Sequence, residues 1–106
     1  MTRKIEQLVR EFREGLEKIY GCRLRGAYLY GSWARGEADA ESDVDILVVL
    51  DDYERYGQEV NRTGQLGADL SLKYGVSISQ VFLRERDWLQ GDTAFLTNVR
   101  EEAIPA

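Results

Sequence analysis

Residues 31–50 read GSWARGEADAESDVDILVVL, and the two ends of this stretch decide the fold. Asp43 to Leu50 is the clearest strand in the chain. Past Asp43 and Asp45 it is apolar on both faces, as expected of a central strand covered from both sides. Two residues apart on a strand, Asp43 and Asp45 point to one face with Cα atoms roughly 6.5–7 Å apart. Two carboxylates so close repel each other and are costly to bury without a compensating charge. Magnesium supplies such a charge, takes one or two protein carboxylates and fills its other positions with water and phosphate. The plainer alternative is that Asp43 caps the strand entrance while Asp45 pairs with Arg35 or another basic residue.

The front of the stretch complements its end. Gly31 and Ser32 stand where the preceding run, Leu24 to Tyr30, leaves its strand. A glycine there lets the backbone approach a ligand, and the turn exposes amide N–H groups suited to phosphate oxygens. Ser32 opens a single helical turn over Trp33, Ala34 and Arg35 before Gly36, either as a plain N-cap or as part of an anion site. The loop has neither the P-loop pattern nor the dinucleotide-binding pattern. Its distinctive feature is the order of parts: strand, Gly-Ser turn, ten-residue link, then two acids on a neighbouring strand.

Working outward, Ile5, Leu8, Val9, Phe12, Leu16 and Ile19 recur at steps of three and four, which predicts an amphipathic helix capped by Thr2 and stopped by Gly21. After the central strand, Asp51 or Asp52 is expected to cap a helix carrying Tyr53, Tyr56, Val60, Thr63 and Leu70 on one side and ending near Gly75. Gly57, Gly64 and Gly67 lie inside it. They mark either a stripe for close helix approach or a weak helix broken in the middle. Val76 to Leu83 reads as a third strand, followed by a short helical stretch at Trp88. A last helix, capped by Asp92 or Thr93, carries Phe95, Leu96 and Val99. This order predicts an α/β (α+β) fold, a small mixed β-sheet backed by helices, with residues 1–106 as a single domain.

Composition narrows the chemistry. The net charge is −5, which disfavours direct nucleic-acid binding as the main task, since neutralising phosphates needs clustered Lys and Arg. The chain has no His and one Cys. The common zinc sites, the Ser-His-Asp triad and an internal disulfide are thereby excluded, and Cys22 is read as inert. No apolar run is long enough for a membrane span or a secretory signal, and a reducing, cytoplasmic setting is expected.

The residues also resemble a known family, the minimal nucleotidyltransferases of the DNA polymerase beta superfamily. The resemblance rests on Gly31-Ser32, Ala34-Arg35-Gly36, Ser42-Asp43-Val44-Asp45 and the aliphatic strand Ile46 to Leu50, and the closing FLTNVREEAI resembles the terminal helix of these proteins. It implies the nucleotidyltransferase fold and a nucleoside triphosphate, usually ATP, gripped by Gly31 and Ser32. Asp43 and Asp45, as catalytic residues, would hold up to two Mg2+ ions. Arg35 would contact a phosphate, or form a surface ion pair instead. An acceptor hydroxyl would attack the α-phosphate and release pyrophosphate. Such proteins are often antitoxins whose partner is a helical HEPN-type ribonuclease, and some add AMP to a tyrosine of that toxin. The sequence leaves the oligomeric state open between a homo- and a hetero-oligomer.

The chain departs from the family pattern in one respect. Catalytic members commonly carry a third carboxylate on the next strand, and here residues 76–81 read VSISQV without an acid. Ser77 or Ser79 is expected on that face. Glu37, Glu41 and Asp69 are the available substitutes. Without the third acid, nucleotide binding should survive better than turnover, because general-base help is typically worth about 10²- to 10⁴-fold. Trp33 either lines a base or partner surface or covers the core edge, and Tyr28 and Tyr30 are read as strand packing.

Overall fold

The computed structural model describes residues 2–106. As expected, Thr2 caps the first helix, α1 (Arg3–Tyr20), its hydroxyl accepting the Ile5 amide at 3.3 Å. Gly21 ends that helix with φ +57°, and a single 3-10 turn leads into β1 (Leu24–Tyr30). A one-turn helix, α2 (Ser32–Arg35), and a loop precede β2 (Val44–Leu50). The long helix α3 (Tyr56–Tyr74), the strand β3 (Ile78–Arg84), α4 (Glu85–Gln90), α5 (Ala94–Glu102) and the two-residue β4 (Ile104–Pro105) follow. Thr93 is the cap of α5, accepting the Leu96 amide at 3.2 Å.

The sheet runs β3-β2-β1-β4. β1 pairs antiparallel with both β2 and β4, and β2 pairs parallel with β3, so the sheet is mixed and β2 is central. The period-2 alternation of β2 explains why it is apolar throughout. Val44, Ile46, Val48 and Leu50 meet Ile5, Leu8, Phe12 and Leu16 of α1 and Leu70 of α3 on one face. Leu47 and Val49 meet Val99 of α5 on the other, beside Tyr28, Tyr30 and Trp88. Each such fully buried side chain contributes about 1.5–3 kcal/mol relative to exposure. Asp45 shares the side of Leu47 and Val49, and the opposite face belongs to the main core.

Three expectations need correcting. α3 starts at Tyr56, with Arg55 in the cap position and no side-chain cap. Asp51 and Asp52 spend their oxygens in the preceding loop: Asp51 accepts from Arg23 and from the Asp52 amide, and Asp52 from the Tyr53 amide and Arg84. Tyr53 therefore lies off the helix, donating its hydroxyl to the Phe82 carbonyl at 3.1 Å beneath the Arg84 guanidinium. Second, the buried side of α3 is Glu59, Thr63, Gly67 and Leu70, while Tyr56 and Val60 are exposed. The buried Glu59 carboxylate accepts the Tyr20 hydroxyl at 2.8 Å and lies 3.8 Å from the Arg62 guanidinium. Third, α3 is continuous through its glycines. Gly57 and Gly64 face open space, and only Gly67 is close to another element, at the Gln80 side-chain amide. β4 has no counterpart in the sequence reading.

Candidate active site

β1 delivers the chain to a sharp bend at Gly31, whose φ of +76° and ψ of −156° fall in a region essentially reserved for glycine. The antiparallel register sets Tyr30 opposite Asp45, so the bend and the acid lie side by side. A methyl group on Gly31 would overlap the Asp45 carboxylate. The missing Cβ is what lets the two strands bring a backbone turn and an acid into contact.

α2 then turns away. The Arg35 amide donates to the Gly31 carbonyl at 3.1 Å and the Glu37 amide to the Ser32 carbonyl at 3.0 Å, and Gly36 closes the turn at φ +74°. Trp33 packs on the main core and donates its indole N–H to the Ser42 carbonyl at 3.2 Å, pinning α2 to the segment that enters β2. It covers the core edge and is not in the cleft wall. The Val44 amide donates to the Ser77 carbonyl at 2.9 Å and aligns β2 with the start of β3.

These parts enclose a cleft of about 580 Å³ whose walls are Tyr30, Gly31, Ser32, Arg35 and Asp45 on one side, and Phe95, Asn98, Val99, Glu101 and Glu102 of α5 on the other. Gly31, Ser32, Arg35 and Asp45 are thus brought together in one cleft wall. Asp43 is exposed and outside the cleft wall, one residue before β2. It is still near enough for its charge to act on Asp45. The Asp45 carboxyl is held above its ordinary range, first by burial and then by repulsion from Asp43, with Arg35 partly opposing.

Among the described residues, neither acid accepts a side-chain hydrogen bond or an ion pair. Arg35 pairs instead with Glu37 at 2.9 Å and Glu102 at 3.0 Å, so the alternative in which Asp45 is neutralised by Arg35 contact does not hold. Nor is any group of three His, Cys, Asp or Glu side chains gathered for a metal among the described residues. Two hard oxygen donors without a partner, one half-buried against a glycine cradle, fit a magnesium ion that completes its shell with water and phosphate. The cleft wall points the same way: among its described residues Arg35 is the one cation beside three acids, so a bare triphosphate would be repelled.

Tyr30 does more than pack a strand. Its ring lines the cleft edge-on to Phe95 at 5.9 Å. Burial foremost, then the Asp45 charge, pushes its hydroxyl up to about 12, so it remains a proton donor at neutral pH. Tyr28 stacks against Trp88 at 4.8 Å. Ser79 stands level with Asp45 on β3 and is exposed, in the place expected of a third acid, and Ser77 precedes the strand. Glu37, Glu41 and Asp69 are not in the cleft wall; Glu37 pairs with Arg35, and Asp69 accepts from Gln65 on α3.

The sequence reading did not single out Phe95 as a cleft residue, nor Asn98, Glu101 or Glu102. Phe95, Asn98 and Glu102 fall at i, i+3 and i+7 of α5, and that face was the available signal. Pairing it with the Gly-Ser bend required the sheet order.

The nucleotidyltransferase domain family matches residues 9–102. The chain belongs to it. This nucleotidyltransferase is 34% identical over 103 residues to a protein of Methanocaldococcus jannaschii provisionally named a protein adenylyltransferase, covering 92% of both chains. A second such protein of that organism is 30% identical over 82 residues, 77% of this chain and 82% of the relative. Among solved structures, one described provisionally as a minimal nucleotidyltransferase aligns with TM-score 0.65 at 22% identity, over 96% of this chain and 92% of the other. A toxin-antitoxin structure with AMP-PNP aligns with TM-score 0.61 at 20% identity, over 96% and 68%. The fold is that of the nucleotidyltransferases, and the chemistry is transfer of a nucleotidyl group. As for a membrane, no helix among the described residues is long and apolar enough to cross one.

Proposed function

We propose that this nucleotidyltransferase transfers AMP from ATP to the hydroxyl of a tyrosine on a helical, HEPN-type partner protein in the cytoplasm, with residues 1–106 acting as one unit. The observation that carries the reading is the uncompensated Asp45 carboxylate lying against the bend at Gly31. The Gly31 and Ser32 turn holds the phosphates, Arg35 contacts one of them, and Asp43 and Asp45 hold up to two Mg2+ ions. When bound, the metal neutralises triphosphate charge and stabilises the attacking and leaving oxygens.

In the transfer, the acceptor oxygen forms a bond to the α-phosphorus and the bond from that phosphorus to the pyrophosphate oxygen breaks. The hydroxyl proton leaves to solvent or to a nearby base. The relatives named as protein adenylyltransferases support AMP and a protein acceptor, and the toxin-antitoxin neighbour with AMP-PNP supports an adenine nucleotide and a partner protein. Incubation with labelled ATP, Mg2+ and the candidate partner tests it: label is expected on a partner tyrosine, and none with Asp45→Asn.

A second reading is favoured by Ser79 beside Asp45: the chain neutralises its partner chiefly by binding it, with little turnover. The two separate on one variant. Asp45→Asn still silences the partner under the second reading and fails to do so under the first.

A further inference from the structure

One carboxylate in the cleft is in an unusual position for a site meant to receive phosphate. Glu102, at the last turn of α5, accepts the Gly31 amide on Oε1 at 3.1 Å and the Arg35 guanidinium on Oε2 at 3.0 Å. These contacts span 71 and 67 residues of sequence. They join the C-terminal helix to both anion donors of the Gly-Ser turn. A carboxylate bridging a backbone N–H and a guanidinium takes up the donor geometry that a phosphate group would use.

The surroundings fit a substitute ligand better than a plain surface ion pair. The Glu102 side chain is 20% exposed, its oxygens are held below the ordinary glutamate range by Arg35 first and by the Gly31 amide, and it faces Asp45 across the same cleft. Two carboxylates and a triphosphate cannot all remain there without strong repulsion. The acid whose place a phosphate can take is Glu102, because its two partners are the donors that phosphate would use, whereas Asp45 holds neither of them.

Resting on the nucleotide reading above, we propose that Glu102 is a further residue of the nucleotide site: its carboxylate holds the Gly31 amide and Arg35 until triphosphate takes both, so that it competes with substrate. Apparent affinity falls by the fraction of molecules in which the donors are free. Removing the Glu102 charge raises that fraction.

The test is calorimetric titration of the wild-type chain, Glu102→Gln and Glu102→Asp with Mg-ATP, and with magnesium tripolyphosphate, which reports the phosphate seat alone. Glu102→Gln is expected to bind both about tenfold more tightly than wild type. Glu102→Asp, which keeps the charge but shortens its reach, is expected to fall between them. A purely structural clamp predicts the opposite order, since loosening the turn would weaken binding. Wild-type binding with equal or weaker binding by both variants overturns this proposal and leaves the nucleotide reading standing. Absence of binding by all three proteins overturns the nucleotide reading itself, and the competition with it.

Discussion

Gly31→Ala is the most informative single change, because two separate costs meet at one atom. The backbone of Gly31, at φ +76° and ψ −156°, lies where a residue with a Cβ costs about 1–3 kcal/mol. The added methyl would also overlap the Asp45 carboxylate, and overpacking of that kind costs about 1–3 kcal/mol. Asp45 is only half-buried and can turn away, so a total of about 2–4 kcal/mol is expected. For a domain of this size that lowers Tm by about 10–25 °C. Gly36→Ala is the matched control, since Gly36 has φ +74° but faces open space; it should cost only about 1–2 kcal/mol. Adding Asp45→Ala removes the overlap and leaves the backbone cost, so Gly31→Ala made in an Asp45→Ala background should cost about 1 kcal/mol less than it does in the wild type. Thermal unfolding by circular dichroism in EDTA reads the stability, and titration with Mg-ATP reads the site, where Gly31→Ala should bind at least about tenfold more weakly. The reasoning fails if Gly31→Ala unfolds within about 2 °C of Gly36→Ala, or if Asp45→Ala rescues nothing.

Asp45→Asn should stabilise the metal-free fold at neutral pH while reducing transfer at least about 100-fold. Because burial and Asp43 raise the Asp45 pKa, its ionised form opposes folding above that raised value, and the advantage of the variant should vanish as pH falls below the ordinary 3.8; equal stabilities at pH 7 would refute this. Ser79→Asp places an acid level with Asp45 on β3 and should raise Mg2+-dependent transfer by about 10²- to 10⁴-fold, checked by initial rates with labelled ATP. Tyr20→Phe leaves the buried Glu59 carboxylate without its hydroxyl partner. It should cost about 1–3 kcal/mol in urea unfolding with no change in Mg-ATP affinity.

Much of this architecture is legible in the chain because local patterns and packing agree. β1 falls at Leu24–Tyr30 as read, α1 follows its stripe from Thr2 to Gly21, and the apolar run after Asp45 is indeed covered on both faces. What could not be read depends on distant partners. Asp51 and Asp52 look like helix caps until Arg23 and Arg84 are seen to occupy them. Glu59 looks like a surface residue until Tyr20 is placed over it. In the candidate site, the Gly-Ser bend and the acid strand declare themselves within twenty residues. The wall supplied by α5 does not, because its place beside Gly31 is set by the sheet order and by contacts some seventy residues away in sequence.

The shortest strand has a consequence for how this molecule meets its neighbours. β4 pairs with Tyr28 and Leu29 through Pro105 and Ile104, and the Ala106 amide donates inward to the Ala27 carbonyl at 2.9 Å. Amide directions alternate along a strand, so the position with its nitrogen toward the outside is Pro105, which has no hydrogen to give. A foreign strand approaching this flank meets a missing donor, which guards against stacking into open-ended aggregates.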